Sequence, residues 1–297
     1  MDYSRHSAYS APREYAALLA ELPADLPTLG SAVRNLIVHY RGSGIDFPPD
    51  RLAEIDSRWL DRLLAHDQRR FPGSLLTPER APENRIAGCC RDYTLLTVAA
   101  LRQHGIPARS RIGFADYLDP SFHFDHVVTQ WWDGDRWRAA DTQLDPSWGL
   151  PVDPLDVPLG PGGLVPAAQL WTAYRRGDLD PSSYGVHPDV PVGGAWFIRN
   201  YVLHEAAHRY GDELLLWDMY GTMSMDLDGD LSLIDEVAAL LIAADDGDEA
   251  ADRKLEQWYA ADDRLHPGRT VQSHSPRGPV STVDLTLRLL HGQRPVK

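Results

Sequence analysis

The sequence predicts an α+β fold in which a buried helix packs on an antiparallel sheet. The helix is indicated by residues 91–104, which contain no Gly or Pro and carry apolar side chains on nearly every turn before a stop at Gly105. The sheet is indicated by two strand-like runs, residues 126–132 and 135–141, joined by Asp133 and Gly134, a strong hairpin signal. A helix that is apolar on most sides belongs in the interior, so we expect these elements to form the centre of the molecule.

Amphipathic helices are predicted on both sides of this centre. Before it, the pattern predicts helices over residues 12–22, 28–40 and 49–70, separated by Pro and Gly. After the hairpin, residues 142–166 are dense in Pro, Gly and Asp and have no period, so they form either a binding loop folded over the site or a linker. The remaining helices are predicted over residues 167–176, 195–220, 232–244, 248–260 and 282–291.

The composition describes a chain of 297 residues with 43% hydrophobic content, which is enough for a sizeable core. We expect an N-terminal helical region (1–70), a core that carries the central helix and the hairpin (71–150), and a loop plus helical C-terminal region (151–297) that packs on the core as one unit. The formal net charge of −14 argues against nucleic acid and anionic membranes as partners. No apolar run is long enough for a membrane helix, and the N-terminus shows no secretory signal.

The two cysteines are adjacent, which does not suit an ordinary structural disulfide and fits a reducing cytoplasm. Cys90 falls at the first turn of the predicted central helix. There the unpaired N–H groups and the positive end of the helix dipole are expected to lower the pKa of the thiol and to leave donors for an oxyanion. We therefore interpret Cys90 as a nucleophile, and Cys89 as a small core residue that points away from the site.

The hairpin predicts a partner pair for this thiol. If Asp133 and Gly134 are the two loop residues, Trp132 pairs with Asp135, and His126 lies directly opposite Asp141. Opposed Cβ atoms are about 4.5–5.5 Å apart, close enough for the carboxylate to hold one imidazole nitrogen while the other turns towards the thiol. A slip of one residue would put the two side chains on opposite faces, so the register matters.

These residues resemble the transglutaminase-like core, which shares the papain-like Cys-His-Asp arrangement. The resemblance rests on Gly-x-Cys-x-Asp-aromatic at residues 88–93, Leu-Arg-x-x-Gly-Ile-Pro-Ala-Arg at residues 101–109, His126 opening a strand, and Trp-x-x-x-Asp at residues 137–141. It implies that Cys90 is the nucleophile, His126 the base and Asp141 the residue that orients it. The implied reaction is acyl transfer through a thioester acyl-enzyme.

The resemblance does not extend to the substrate. Val127 and Val128 follow the histidine, where the family commonly has a small residue and then Trp, and Cys89 stands where an aliphatic residue is usual. We expect a small-molecule or peptide acyl donor and an amine or water as acceptor, so amide bonds are either formed or cleaved. No cofactor or metal is expected, and the oligomeric state is left open. Two lysines against many arginines favour a bacterial source.

Four further residues are candidates for contact with the substrate. Asn84 and Arg85 come just before the nucleophile, where they could donate to an oxyanion or bind substrate. Trp131 could help to form a hydrophobic entrance that excludes water and favours an amine, or it could belong to the core. Trp148 lies in the Pro-rich segment, where a packed role over the site is favoured.

Two alternative functions stay open. His204-Glu205-Ala206-Ala207-His208 spells the zinc-peptidase pattern, with two histidines on one helical face and a glutamate as base, although Leu214 stands where the extended pattern has its third ligand. The second alternative is a binding module that keeps the fold and the three residues without catalysis. Metal content and the reactivity of the Cys90 thiol separate the three hypotheses.

Overall fold

The computed structural model of this protein describes residues 1–286 and shows the α+β fold that the sequence predicts. The helices are α1 (Ala16–Ala20), α2 (Leu26–Leu36), α3 (Pro49–Leu52), α4 (Leu60–Arg70), α5 (Cys90–Gln103), α6 (Ala167–Arg176), α7 (Ala195–Arg209), α8 (Ser232–Asp245) and α9 (Glu249–Ala261). The strands are β1 (Ile37–His39), β2 (Ile86–Gly88), β3 (Ala108–Ala115), β4 (His123–Trp132), β5 (Trp137–Ala140), β6 (Leu164–Pro166), β7 (Tyr184–Gly185), β8 (Asp218–Met219), β9 (Thr270–Ser273) and β10 (Ser281–Asp284).

The central sheet is antiparallel in the order β5-β4-β3-β6, and β7 adds to β4 in parallel. Side chains alternate between its two faces. One face, with Ile112, Phe114 and Val127, belongs to the main core together with α5 and α7. The other face, with Ala115 and Val128, belongs to a smaller cluster covered by the Pro-rich segment. The helix that carries Cys90 is therefore buried against the sheet.

A close approach of two strands explains one glycine in this sheet. Gly113 on β3 pairs with Pro166 on β6, and a Cβ atom at position 113 would lie 2.3 Å from the carbonyl oxygen of Val165. That separation is too short for any side chain. Gly105, with φ +73°, adopts the left-handed conformation that follows α5, as expected of a helix stop.

The predicted hairpin register is wrong by two residues. Thr129 pairs with Ala140 and Trp132 with Trp137, so the loop holds four residues, 133–136, instead of two. The longer loop is stabilised by Asp133, whose Oδ1 accepts hydrogen bonds from the backbone N–H groups of residues 135 and 136 at 2.9 and 2.8 Å. Because side chains alternate with a period of two, this shift leaves every residue on its predicted face.

Several predicted helices end early for identifiable reasons. The helix predicted over 28–40 stops at Leu36, because residues 37–39 pair in parallel with β2. The helix predicted over 49–70 is interrupted, and the guanidinium of Arg91 binds the carbonyl oxygens of Ser57 and Arg58 at the break. The helix predicted over 195–220 ends at Arg209, two residues before Gly211 at φ +86°.

The C-terminal region also contains a small sheet that the sequence pattern did not predict. Strands β10, β9 and β8 form an antiparallel sheet, and residues 282–284 of the helix predicted over 282–291 belong to β10. The end of that predicted helix lies outside the described residues. One core cluster includes residues from Tyr9 to Val271. The domain boundaries proposed from the sequence stay a prediction. Within residues 1–286, the helices are too short or too polar to cross a membrane.

Candidate active site

Cys90 lies where an edge of the central sheet is left open. Strand β5 ends at Ala140, opposite Thr129, so the earlier part of β4 has no β5 partner. Helix α5 occupies this edge: the hydroxyl of Thr94 donates to the carbonyl oxygen of Val127 at 2.9 Å. The backbone N–H of Val127 hydrogen-bonds the sulfur of Cys90. The first residue of α5 is thereby fixed against β4.

His126, the residue before Val127, is held by a buried carboxylate. Its Nε2 lies 2.7 Å from Oδ2 of Asp141, and both side chains are buried. The same Oδ2 accepts a hydrogen bond from the hydroxyl of Tyr117 at 2.9 Å, and Oδ1 accepts one from the N–H of Gln143 at 3.1 Å. The predicted contact between His126 and Asp141 is therefore present. With Nε2 engaged, Nδ1 is the ring nitrogen that can exchange a proton with a reacting group.

Both cysteines and His126 line one cavity of about 740 Å³. This volume is in the range of pockets that bind drug-sized molecules. Most of the wall is apolar or aromatic, and it includes Ile37, Tyr40, Tyr93, Phe124, Trp196, Phe197, Tyr201, Leu216, Trp217, Met219, Met223 and Met225. Asp125 is the one acidic side chain that lines the cavity within the described part of the chain. The nucleophile candidate is thus buried in the protein but open to an internal binding space.

The prediction of a lowered pKa for Cys90 is wrong. A hydrogen bond to the Cys89 thiol raises the pKa of the Cys90 thiol most, and burial and the nearby charges of Cys89 and Asp125 raise it further. The Val127 N–H acts in the opposite direction but is outweighed. The thiol is therefore protonated at neutral pH and needs a base at the moment of attack. Cys89 also lines the cavity, so the expectation that it points away from the site is wrong as well.

A second imidazole near the site is unsuited to that task. His39 interacts electrostatically with His126, and burial lowers its pKa to about 4. Its Nδ1 accepts a hydrogen bond from the N–H of Gly42 at 2.9 Å. The ring is therefore neutral and oriented by its own loop, so His126 is the histidine with the geometry of a base.

The four substrate candidates have different outcomes. Arg85 and Trp148 line the cavity, and Trp148 is 62% exposed at its rim. The Pro-rich segment therefore contributes to the site, as the binding-loop interpretation requires. Asn84 is exposed and is not among the lining residues, because the turn Pro82–Asn84 lies on the surface. Trp131 packs against the main core on the face opposite to His126, so the structure does not support an entrance formed by it.

Glu205 and His208 of the zinc-peptidase pattern have separate hydrogen-bond partners. The carboxylate of Glu205 accepts from the guanidinium of Arg111 at 3.4 Å and from the N–H of Ala168 at 2.9 Å. The Nδ1 of His208 lies 2.8 Å from the hydroxyl of Ser110. In the described chain, no group of three or more His, Cys, Asp or Glu side chains is arranged to hold a metal ion. Nothing in the geometry therefore favours a zinc hydrolase.

Sequence reasoning missed several residues of the site. Tyr117 precedes β4 at no recognisable spacing from Asp141, so no local signal indicates their contact. Asp125 adjoins His126 at a position suited to the mouth of the site, but a solvated loop was the favoured interpretation of that segment; the structure places Asp125 at the cavity. The N-terminal half of α7 forms a wall of the cavity, and it was missed because the pattern of that helix shows burial but not what it packs against.

Comparison with known proteins agrees with the predicted family. Residues 57–142 match the family model described as the transglutaminase-like superfamily, which confirms the resemblance predicted from the sequence and supports a cysteine-dependent enzyme. No curated protein matches significantly. Among solved structures, the "putative cysteine protease" from Cytophaga hutchinsonii is 21% identical, with a TM-score of 0.32 over 50% of this chain and 43% of that chain. That score is too low to carry an argument, so the functional interpretation uses the family match and the site geometry.

Proposed function

We propose that this protein transfers acyl groups through a thioester on Cys90, and so forms or cleaves amide bonds. The observation that carries the proposal is that His126, which Asp141 holds by a hydrogen bond, lines the same cavity as Cys90. A nucleophile, a base and a group that orients the base are the parts that covalent acyl transfer requires.

In the proposed reaction, Nδ1 of His126 removes the thiol proton as the sulfur of Cys90 attacks the carbonyl carbon of the donor. The imidazolium that forms is stabilised by Asp141, which already accepts hydrogen bonds from Tyr117 and Gln143. The proton then passes to the leaving group, and the acyl group stays on sulfur as a thioester. Water or an amine next attacks this thioester, His126 takes the proton of the attacking group, and the thiol is restored.

The oxyanion requires donors near the carbonyl oxygen. The N–H of Cys90 belongs to the first turn of α5, where N–H groups have no partner within the helix. As the second donor to the oxyanion we propose the hydroxyl of Tyr40 instead of Asn84. Tyr40 lines the cavity, and its phenol interacts electrostatically with Cys89, Cys90 and Asp125.

The test is intact-mass measurement of acyl adducts after incubation with 4-nitrophenyl esters of increasing chain length. We expect one acyl group per chain in the wild type and in Cys89→Ala, none in Cys90→Ala, and a rate at least a hundredfold lower in His126→Ala. Adducts that form equally well in Cys90→Ala would refute the proposal. If Cys90 reacts no faster than a free thiol and His126→Ala has no effect, the protein is a binding module.

The fate of the thioester is measured in the same experiment. The preformed adduct is diluted into buffer with or without a primary amine, and the released product is identified by mass. A free acid alone indicates an amidase, and an amide indicates an acyltransferase. The 4-nitrophenyl ester supplies the acyl group in either case, so the result does not depend on knowing the natural donor.

A further inference from the structure

His204 differs from the other residues of the zinc-peptidase pattern because it faces the cavity of Cys90. It lies on α7, and the side chain is 2% exposed. Glu205 and His208 have partners in α6 and β3, as described above. Nδ1 of His204 has no hydrogen-bond partner among residues 1–286; Nε2 of His208 has none either, but His208 does not line the cavity. The motif therefore leaves one buried imidazole with an unsatisfied nitrogen at the wall of the binding space.

Most of the surroundings of His204 are apolar or already paired; the exception is His208, whose ring centroid lies 6.4 Å away. Its ring makes edge contacts with Tyr201 and Tyr220, with centroids 5.5 and 5.8 Å away. The hydroxyl of Tyr220 donates to the carbonyl oxygen of Leu203 at 2.8 Å. The side-chain amide of Asn200, one turn earlier, donates to the carbonyl oxygen of Ser224 at 2.8 Å. Tyr220 and Asn200 are thus satisfied within the protein, and His204 is not.

A buried polar atom without a partner is costly, and folded proteins leave few of them. A buried imidazole that lines a cavity is completed when a ligand supplies the missing hydrogen bond. Burial lowers the pKa of His204 to about 3, so the ring is neutral at physiological pH. A neutral imidazole suits a neutral partner, since a carboxylate would require the protonated ring. A hydroxyl or an amide can form a hydrogen bond with either tautomer of the ring, because it can both donate and accept.

We propose that His204 recognises a neutral hydroxyl or amide group on an otherwise apolar acyl donor that lies along α7. This inference rests on the proposed function, because it describes the donor of the same site. The apolar body of the donor is matched by Phe197, Leu216, Met219 and Met223, which line the same cavity. The volume of about 740 Å³ accommodates a drug-sized acyl group, far larger than acetyl.

The test uses pairs of 4-nitrophenyl esters, each a straight-chain acyl group of six to twelve carbons with and without a hydroxyl or a primary amide at one position. Rates of Cys90 acylation are measured by intact mass in the wild type, His204→Phe, His204→Asn and His274→Phe. His274 lines the same cavity and serves as the matched control. His204→Asn places an amide near the position of Nδ1, and thermal unfolding shows which variants are folded.

We expect at least one polar ester to acylate the wild type roughly tenfold faster than its apolar partner, as one added hydrogen bond to a buried group would give. This preference should fall to about twofold or less in His204→Phe, return in part in His204→Asn and persist in His274→Phe. Absence of any such preference in the wild type, or its survival in His204→Phe, would overturn the inference. Water would then be the partner of the His204 ring. Acylation of Cys90 by every ester alike would still leave the proposed function intact, whereas no acylation at all would refute that function first.

Discussion

Replacing Cys89 with alanine should make the neighbouring thiol more acidic. The hydrogen bond between the two thiols is the largest cause of the raised pKa of Cys90, because it stabilises the protonated form. In Cys89→Ala that bond is lost, and the second thiol no longer opposes a charge on Cys90. The variant also leaves Cys90 as the single cysteine of the chain, since the sequence contains 2.

The size of the effect follows from the strength of such bonds. A net contribution of about 0.5–1.5 kcal/mol, at 1.36 kcal/mol per pKa unit, corresponds to a fall in the pKa of Cys90 of about 0.4–1.1 units. At a pH below both pKa values, the thiolate fraction of Cys90 is about two- to twelvefold larger in Cys89→Ala than in the wild type. Because a less basic thiolate is a weaker nucleophile, with a Brønsted slope of about 0.4–0.5, the rate should rise only about two- to fourfold.

The assay is the pH dependence of iodoacetamide labelling, followed by intact mass, with tandem mass spectrometry to separate the two sites in the wild type. We expect the wild-type midpoint above neutral pH and the Cys89→Ala midpoint lower by the amount given. Cys89→Ser is the matched control, because its hydroxyl can still accept a hydrogen bond. A midpoint that stays in place or rises in Cys89→Ala would refute the assignment of that bond.

Three further substitutions test other parts of the site. Asp125→Asn should also lower the pKa of Cys90, since it removes a nearby negative charge, and the same labelling curve would show it; an unchanged curve would count against this charge effect. Tyr40→Phe should slow acylation by about a hundredfold or more if its hydroxyl serves the oxyanion, with unchanged thermal stability, whereas a normal rate would exclude that role. Gly113→Ala should destabilise the fold by more than about 2 kcal/mol in urea denaturation, because its Cβ would lie 2.3 Å from the carbonyl oxygen of Val165, and a stable variant would contradict the close packing of β3 on β6.

The sequence was sufficient to predict the central helix and the two faces of the hairpin. Residues 91–104 were predicted as a helix and form α5, because apolar periodicity and the Gly105 stop are both local signals. The pairing of His126 with Asp141 was predicted from the wrong register. It is nonetheless present because an error of two residues keeps both side chains on the same side of the sheet. Whether the three residues catalyse a reaction stays a prediction.

What the sequence could not indicate depends on contacts between distant segments. The break before α4 is held by Arg91, which binds carbonyl oxygens about thirty residues earlier in the chain. The thiol pKa was expected to fall from the helix position alone. It rises because the fold surrounds Cys90 with protein, a second thiol and a carboxylate. Trp131 is different, because strand alternation is a local signal: it places this side chain against the core on the face of α5 and α7, away from His126.

The raised pKa of Cys90 has a consequence for how such an enzyme would work. A resting thiolate reacts with any small electrophile or oxidant, whereas a protonated thiol reacts slowly. His126 and Asp125 line the same cavity as Cys90, so the thiol shares this space with a candidate base and with a carboxyl group that disfavours its anion. The nucleophile is then activated only when a bound carbonyl can accept electrons while His126 takes the proton. In this arrangement the cavity selects the donor before the sulfur becomes reactive, so a donor that fits along α7 should acylate Cys90 far faster than iodoacetamide alkylates it at the same pH.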